Sequence, residues 1–502
     1  MAEYDADVVV VGGGPTGLFL ACELGLAGVD TVVLERDLDR SRQTKALNLQ
    51  PRSAEVLQWR GLLDAMGESM YPPLPGGHYA GLPLDYSVLD TRFPYQIGIV
   101  QADVERALEA DLARYGVQVR RGHTLVGLES GLGAADDRVT AVVATEGGEY
   151  RCTARYLVGS DGGRSTVRRA TGVDFPGTEG RMPAVVCDIT LARKPDGVAE
   201  EWALPVFDPT RPDFTFLLPL RNGVYRLVFG GEYLRDVDRD TPVTAADVQK
   251  ALIDAFGPEI EVGEVRSGSR FIDAARQVSA YRTGRVFLAG DAAHIHAPLG
   301  GQGMNLGLQD AFNLGWKLAA AVQGWAAPDL LDTYHRERHP VAAAVLENTR
   351  AQGVLTWKDP DVLALRGAVG EMLAIPETNR MLAEKISGLA VRYDLGPGAG
   401  HRMPDLDLGD GTRVAELARD GRGLLLDATP EHRFASIAAG WGRRVRYHAT
   451  DTAHLSAAAV LVRPDGYVCA AGDDPDGMTA ALTAWFGPRA AESVPETRSR
   501  TT

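Results

Sequence analysis

Four consecutive valines, Val8–Val11, run directly into Gly12-Gly13-Gly14-Pro15-Thr16-Gly17 near the start of the chain. Few local patterns restrict a fold more tightly. An unbroken β-branched run reads as a strand buried on both faces, the environment of a parallel sheet. Gly12 permits the tight turn that follows, Gly14 lets the backbone approach a pyrophosphate, and Gly17 lets helix and strand pack closely. The helix is expected through Leu18, Leu20, Ala21, Leu24 and Leu26, closing near Gly28. Its first turn, with Pro15 and Thr16, would aim free N–H groups at phosphates. A second strand, Thr31–Leu34, ends in Glu35-Arg36, and Glu35 stands eighteen residues beyond Gly17, near the ~20 expected of an acid that binds ribose hydroxyls. Strand, helix, second strand and terminal acid together read as a dinucleotide site. They do not separate a nicotinamide from a flavin.

The 502 residues exceed one ordinary core and predict two or three domains. Hydrophobic residues at 45% and charged residues at 24% describe a globular chain. The net charge of −15 argues against nucleic acid or an anionic membrane as partner. No signal peptide and no run of ~20 apolar residues is evident, so a cytoplasmic protein is expected. Cys22, Cys152, Cys187 and Cys469 are scattered, without CxxC or metal-ligand spacing, and read as buried small hydrophobes.

A second glycine-rich signature lies far downstream. Val286–Ala289 is an apolar strand ending in Gly290-Asp291, and Pro298-Leu299-Gly300-Gly301-Gln302-Gly303-Met304-Asn305 opens a long helix carrying Leu306, Leu308, Phe312, Leu314, Leu318 and Ala321. Asp291 can accept hydrogen bonds from a sugar-alcohol chain. A glycine loop at a helix start presents N–H groups and a positive dipole end. Reduced flavin is anionic at its N1/C2-carbonyl edge, so this loop suits it. Between the two signatures, Tyr156–Gly159 leads into Ser160-Asp161-Gly162-Gly163-Arg164, with Arg168 beyond. Asp161 is a candidate for cofactor or nicotinamide binding, and Arg164 and Arg168 are candidates for phosphate. The alternative is an ordinary surface turn.

These GxGxxG, DG and GD segments resemble the fingerprints of class A flavoprotein monooxygenases, the para-hydroxybenzoate hydroxylase type. The resemblance extends to Lys45–Leu57 and Tyr334–Pro340, covers nearly the whole chain, and is nearest to actinobacterial hydroxylases that tailor angucyclines, anthracyclines and tetracyclines. It implies FAD as cofactor and NAD(P)H as transient co-substrate. Gly12, Gly14, Gly17, Glu35 and Arg36 would hold the ADP half. Gln101 and Arg106 would contact the flavin, Asp291 would bind the ribityl chain, and Pro298 to Asn305 would line the isoalloxazine. Lys45 departs from the arginine of many relatives, and lysine cannot make the same bidentate contact.

The implied fold is α/β: a Rossmann-like FAD-binding domain, an inserted antiparallel-sheet substrate domain, and a C-terminal thioredoxin-like domain lacking CxxC. The expected boundaries are 1–70, 98–181 and 273–395 for the FAD-binding domain, 71–97 and 182–272 for the substrate domain, 396–490 for the thioredoxin-like domain, and a tail at 491–502. Alternation in Val185–Thr190, Phe214–Pro219 and Tyr225–Phe229 predicts the inserted strands. Trp202, Phe214, Phe216, Phe229 and Tyr233 are candidates to stack on a flat substrate, beside Pro298; aromatics at strand spacing are equally expected in plain core. His294 and His296 form an HxH pair without a third ligand, which points to packing of the cofactor loop rather than to a metal. Beyond the turn-rich Gly396–Gly400, strands are expected at Gly423–Asp427 and Val445–His448, then a hairpin over Val460–Cys469 with Asp465-Gly466 at its turn, and a last helix near Met478–Phe486.

The resemblance therefore implies a monooxygenase that hydroxylates a polycyclic aromatic polyketide with O2. NAD(P)H would reduce FAD, and a flavin C4a-hydroperoxide would transfer the hydroxyl group, with no catalytic side chain required. Baeyer–Villiger oxygenation, or inactivation of an antibiotic of the rifamycin or tetracycline type, would leave the same motifs. A flavin-dependent halogenase lacks its Trp-x-Trp-x-Ile motif here, and a non-catalytic flavin-binding protein would not need so intact a second loop. For a 2′-phosphate of NADPH only Arg42 and Arg164 stand out.

Overall fold

The computed structural model describes residues 4–40, 45–202, 214–357, 359–451, 454–455 and 457–489. Arg42 and the tail expected at 491–502 lie outside them. The chain divides into two compact units, Met1–Gly315 with Tyr334–Val391, and Trp316–Thr333 with Arg392–Thr502. Among the described residues no helix is long and apolar enough to cross a membrane.

The first unit is organised by a sheet in the order Arg282–Thr283, Val286–Leu288, Gly148–Gly159, Ala6–Val11, Thr31–Glu35, Gln118–Arg121. All neighbours are parallel except the edge pair of Arg282–Thr283 with Val286–Leu288. Ala6–Val11 is buried on both faces, as its valines require: Val8 and Val9, on opposite faces, expose 0% and 1%. The strand Gly148–Gly159 plays two parts. Its first half pairs with Val139–Thr145 in a hairpin, and its second half lies between Ala6–Val11 and Val286–Leu288. Val11 is level with Gly159, and Gly159 with Leu288. The three chain segments that leave these strands, at Gly12, Ser160 and Ala289, therefore emerge side by side at the carboxyl ends of neighbouring strands, where open α/β sheets bind ligands.

A second, antiparallel sheet runs Phe214–Pro219, Val224–Gly230, Pro183–Arg193, Glu261–Ile272. The expected strands are present. The helix Ala245–Phe256 between them is an addition that alternation alone did not foretell. It starts at a capping box of Thr244 and Asp247, and Val248, Ala251 and Leu252 pack on Val185, Cys187, Ile189, Leu227 and Phe229 of one sheet face. The segment expected to complete this domain from the N-terminal side does not join the sheet: Gly76–Tyr79 and Leu82–Asp85 form their own hairpin.

In the second unit the sheet order is Val445–Ala449, Gly423–Asp427, Ala459–Val462, Val468–Gly472, with the first pair parallel and the rest antiparallel. This is a thioredoxin-like arrangement, closed by the helix Pro475–Phe486, whose Met478, Leu482 and Phe486 enter the core. Trp316–Thr333, expected within the FAD-binding domain, packs here instead. Trp316, Ala320 and Leu330 form a cluster with Trp325 and Trp485, and the Trp316 ring stands 6.4 Å from that of Phe486.

Candidate functional site

The first glycine loop is held by backbone proximity. Gly12 has φ +110°, and a Cβ on it would lie 2.4 Å from the Ser160 carbonyl oxygen. A Cβ on Gly17 would lie 2.1 Å from the Gly12 carbonyl oxygen and 2.5 Å from Ser160 Oγ. That hydroxyl donates to the Val11 carbonyl at 3.0 Å, stitching the loop to the next strand. Gly14 differs, because a Cβ there would meet no atom within 4 Å. Its outer side is open in front of the helix Pro15–Leu26, which has no side-chain cap. Glu35 reaches this loop: its carboxylate accepts from Gly13 N–H at 2.7 Å and from Asp37 N–H at 2.9 Å. Arg36 turns outward to Asp37, with 71% of its side chain exposed.

Thr16 joins the first loop to the second signature. A Cβ on Gly290 would lie 2.7 Å from Thr16 Oγ1, and one on Gly307 2.2 Å from it. Asp291, one residue further, is exposed. Behind it lies a buried triad that the sequence did not disclose. Asp310 Oδ2 is 2.7 Å from His294 Nε2, Arg338 Nε donates to Oδ1 at 2.8 Å, and Gly290 N–H donates to Oδ2 at 3.2 Å. Burial pushes the Asp310 carboxyl up, but Arg338 and His294 outweigh it and hold the group below the ordinary carboxylate value. The triad pins the Gly290 turn to two helices. His294 is thus a structural partner, and among the described residues no cluster suited to a metal is present.

The second loop is held by side chains from far away in sequence. Gly300 and Gly301 take φ +73° and +62°. Gln50 Nε2 donates to the Gly300 carbonyl at 2.8 Å, and Asn305 Nδ2 to that of Gly301 at 2.8 Å. Asn305 Oδ1 accepts from Gln50 N–H at 2.7 Å, Tyr86 OH donates to Gln50 Oε1 at 3.1 Å, and Asn48 Nδ2 donates to Gln96 at 2.6 Å. Gln302 is buried and donates to the Leu299 carbonyl at 3.3 Å, while Gly303 and Met304 are half-buried and Pro298 is exposed. His296 borders the loop: its Nδ1 is 2.7 Å from the Ala297 carbonyl, and its Nε2 is buried with no hydrogen-bond partner. Burial lowers its affinity for a proton below the usual histidine value.

Other expected contacts turn out differently. Asp161 is engaged as a helix cap, accepting from Ser165 Oγ, from Thr166 N–H at 2.6 Å and from Val167 N–H at 3.1 Å. Arg168 is buried and ties this turn to its neighbour by donating to the carbonyls of Ala292 and Gly163. Arg164 is exposed and pairs with Asp240. Arg106 has its guanidinium 63% exposed and paired with Asp103 on its own helix. Gln101 instead secures the segment after Lys45, accepting from Ala46 N–H at 3.2 Å and donating to Glu105 at 2.8 Å. Lys45 itself is exposed, and its carbonyl lies 3.5 Å from Arg226 Nη1.

Strand register sorts the candidate aromatics. Phe216 is level with Val228, and Leu218 with Arg226, which is level with Asp188. Phe214 and Phe216, 5.8 Å apart, therefore share a sheet face with the buried Arg226–Asp188 pair, joined at 2.6 and 3.0 Å. Phe229 points the other way, 1% exposed in the core beneath Ala245–Phe256. Tyr233 sits outside that face too, 46% exposed under Lys250 Nζ. Neither lies on the face of Phe214 and Phe216. Trp202 stacks on Tyr71 at 4.7 Å and 20°, and its indole Nε1, buried without a hydrogen-bond partner, lies over Gly98. The register signal was available for Phe229, because odd and even positions of a strand face opposite ways. For Gln50, Asp310 and Arg338 no local signal exists.

The residues present fit FAD at both ends. An open glycine cradle with an acid beside it suits the adenosine diphosphate, and an exposed aspartate followed by a left-handed glycine loop suits the ribityl chain and ring.

The comparisons with known proteins agree with this geometry. Residues 5–349 match the model of the FAD binding domain, and residues 396–489 that of the aromatic-ring hydroxylase C-terminal domain. A 12-dehydrotetracycline 5-monooxygenase/anhydrotetracycline 6-monooxygenase from Streptomyces rimosus is 44% identical, over 96% of this chain and 99% of its own. A rifampicin monooxygenase from Streptomyces venezuelae is also 44% identical, over 96% and 98%. The solved structure of an anhydrotetracycline hydroxylase from Streptomyces rimosus superposes with a TM-score of 0.88 at 44% identity, covering 97% of this chain and all (100%) of the other.

Proposed function

This chain belongs to the FAD-dependent aromatic-ring hydroxylases, a family of flavoprotein monooxygenases, and from that premise we propose that it hydroxylates a polycyclic aromatic polyketide in the cytoplasm. The observation that carries the substrate class is the half-buried face of Phe214 and Phe216 beside the fixed Arg226–Asp188 pair. Flat apolar rings suit a fused aromatic system, and a buried guanidinium beside them suits its phenol and carbonyl oxygens. The relatives named for tetracycline oxygenation support the same class.

When bound, FAD supplies hydride acceptance from NAD(P)H and the activation of O2 for transfer of one oxygen atom to an aromatic carbon. The chain's own residues bind and orient. Gly12, Gly14, Pro15, Thr16, Gly17 and Glu35 would receive the adenosine diphosphate, with the N–H groups of Pro15–Leu26 directed at phosphate. Asp291 would accept from ribityl hydroxyls. The N–H groups at Gly300–Asn305 would offset negative charge on the ring, their positions fixed by Gln50 and Asn305 before any ligand arrives. Phe214, Phe216 and Trp202 would exclude water and hold the substrate flat.

The test is direct. Purified protein is expected to be yellow with oxidised flavin, and its NAD(P)H oxidation to accelerate when anhydrotetracycline is added, giving a product heavier by one oxygen atom. A colourless protein that takes up no FAD, or turnover that yields only peroxide with every polycyclic phenol, would overturn the reading. A second reading rests on the equal identity to a rifampicin monooxygenase. Oxygenation of rifampicin in preference to the tetracycline precursor would assign the enzyme to drug modification.

A further inference from the structure

We propose that the thioredoxin-like unit carries a binding site of its own for a small aromatic carboxylate, in a cleft of about 400 Å³ beside the edge strand Val445–Ala449. Nothing in oxygen transfer calls for this unit. Its one cysteine, Cys469, is buried against the Leu461 carbonyl, so dithiol exchange is not its purpose.

The cleft is lined by the apolar Leu417, Ala435, Ala439 and Val445 together with Arg422 and Arg446. Asp420 is their shared counter-ion: it accepts from Arg422 Nε at 2.8 Å and from Arg446 Nη2 at 2.5 Å. One carboxylate against two guanidiniums leaves a residual positive charge. His448, also lining the cleft, has Asp410 at 3.4 Å from its Nε2. Arg422 is fixed by a further bond from Nη1 to the Gly442 carbonyl at 2.9 Å, whereas Arg446 Nε is buried with no hydrogen-bond partner. A cationic recess is out of character for a chain of net charge −15. It asks for a monoanion. A carboxylate accepts from a guanidinium in the plane of its fork, and the small alanine side chains of the lining leave room for a ring. A phosphate dianion would exceed the single residual charge. The volume falls within the range of small-molecule sites.

The probe is 1-naphthoate, titrated calorimetrically into the full-length, FAD-loaded protein. Saturable binding is expected, about tenfold or more weaker for the neutral 1-naphthylmethanol and for Arg446→Gln, as loss of a charge-assisted pair requires. Ala435→Phe, which fills the cleft without touching either arginine, is expected to abolish binding and serves if Arg446→Gln does not fold. Both variants should keep the NAD(P)H oxidation rate of the parent. No heat at about 1 mM naphthoate overturns the proposal. So does binding that survives Ala435→Phe, which would belong to the flavin-side pocket, and so does stronger binding of inorganic phosphate. Because the readout is heat of binding, the site can fail while the monooxygenase reading stands, and the reverse.

Discussion

In the first glycine loop, the atoms that forbid a side chain are backbone atoms of the same βαβ unit and its neighbour strand: the carbonyls of Gly12 and Ser160 lie 2.1 and 2.4 Å from the Cβ positions of Gly17 and Gly12. In the second, Gly300 and Gly301 take left-handed backbone, and the amide side chains of Gln50 and Asn305 donate to their carbonyls. One loop is shaped by close packing and the other by hydrogen bonds imported across the chain. The first suits the inert end of a dinucleotide, which only has to be gripped. The second suits a reactive ring, whose surroundings need donors at fixed positions.

The contrast is easiest to break at Gly17. Gly17→Ala places a methyl group on a carbonyl that cannot move without the strand, so loss of FAD and a destabilisation of about 3 kcal/mol are expected, read by flavin absorbance and thermal midpoint. A yellow, fully active Gly17→Ala protein would show that the first loop is as adjustable as the second. Arg338→Met comes next. It leaves Asp310 buried with only His294 and the Gly290 N–H as partners, and removal of one partner from a buried ion pair typically costs about 3–5 kcal/mol. Because the triad lies behind Gly290 rather than at either loop, both nucleotide affinity and stability should fall together.

Gln50→Ala sharpens the contrast by sparing the first loop. It removes the donor to Gly300 and leaves that carbonyl buried, at about 1–3 kcal/mol. FAD should remain bound while product per NAD(P)H falls and peroxide rises; an unchanged ratio would deny the loop its charge-positioning role. Acidification should have the smallest effect, and it acts through buried histidines, of which His296 borders the second loop. Burial holds His296, like His78 and His339, below its ordinary value. The unfolded chain then binds more protons, so this stabilisation is complete above about pH 6.5 and declines as pH falls through it. The thermal midpoint should drop between pH 7.5 and 5.5, and by less in His296→Asn.

Legibility in the sequence follows the same divide. The first loop, its strand and Glu35 could be read outright, because each glycine answers to an atom in the same or the neighbouring strand and the spacing is set by one turn and one helix. The second loop could be found but not explained. Its supports lie 250 and 255 residues away, at Gln50–Gly300 and Gln50–Asn305, and no periodicity connects them. Phe214 and Phe229 show a subtler limit: alternation separates the two faces of a strand, but only the helix Ala245–Phe256 decides which face becomes core. Asp161 shows another, because an Asp-Gly turn can serve a ligand or cap a helix, and only the backbone that follows chooses.

The allocation of Trp316–Thr333 to the C-terminal unit bears on how such enzymes diversify. A recombination event joining two relatives at the turn near residue 396 would separate Trp316, Ala320 and Leu330 from Trp485, their partner in one cluster. The parental pieces would have to agree on those contacts for the chimaera to fold. Exchange of the last hundred residues is therefore constrained by a stretch of chain embedded well upstream, and a tailpiece moved without that stretch would arrive with part of its core missing.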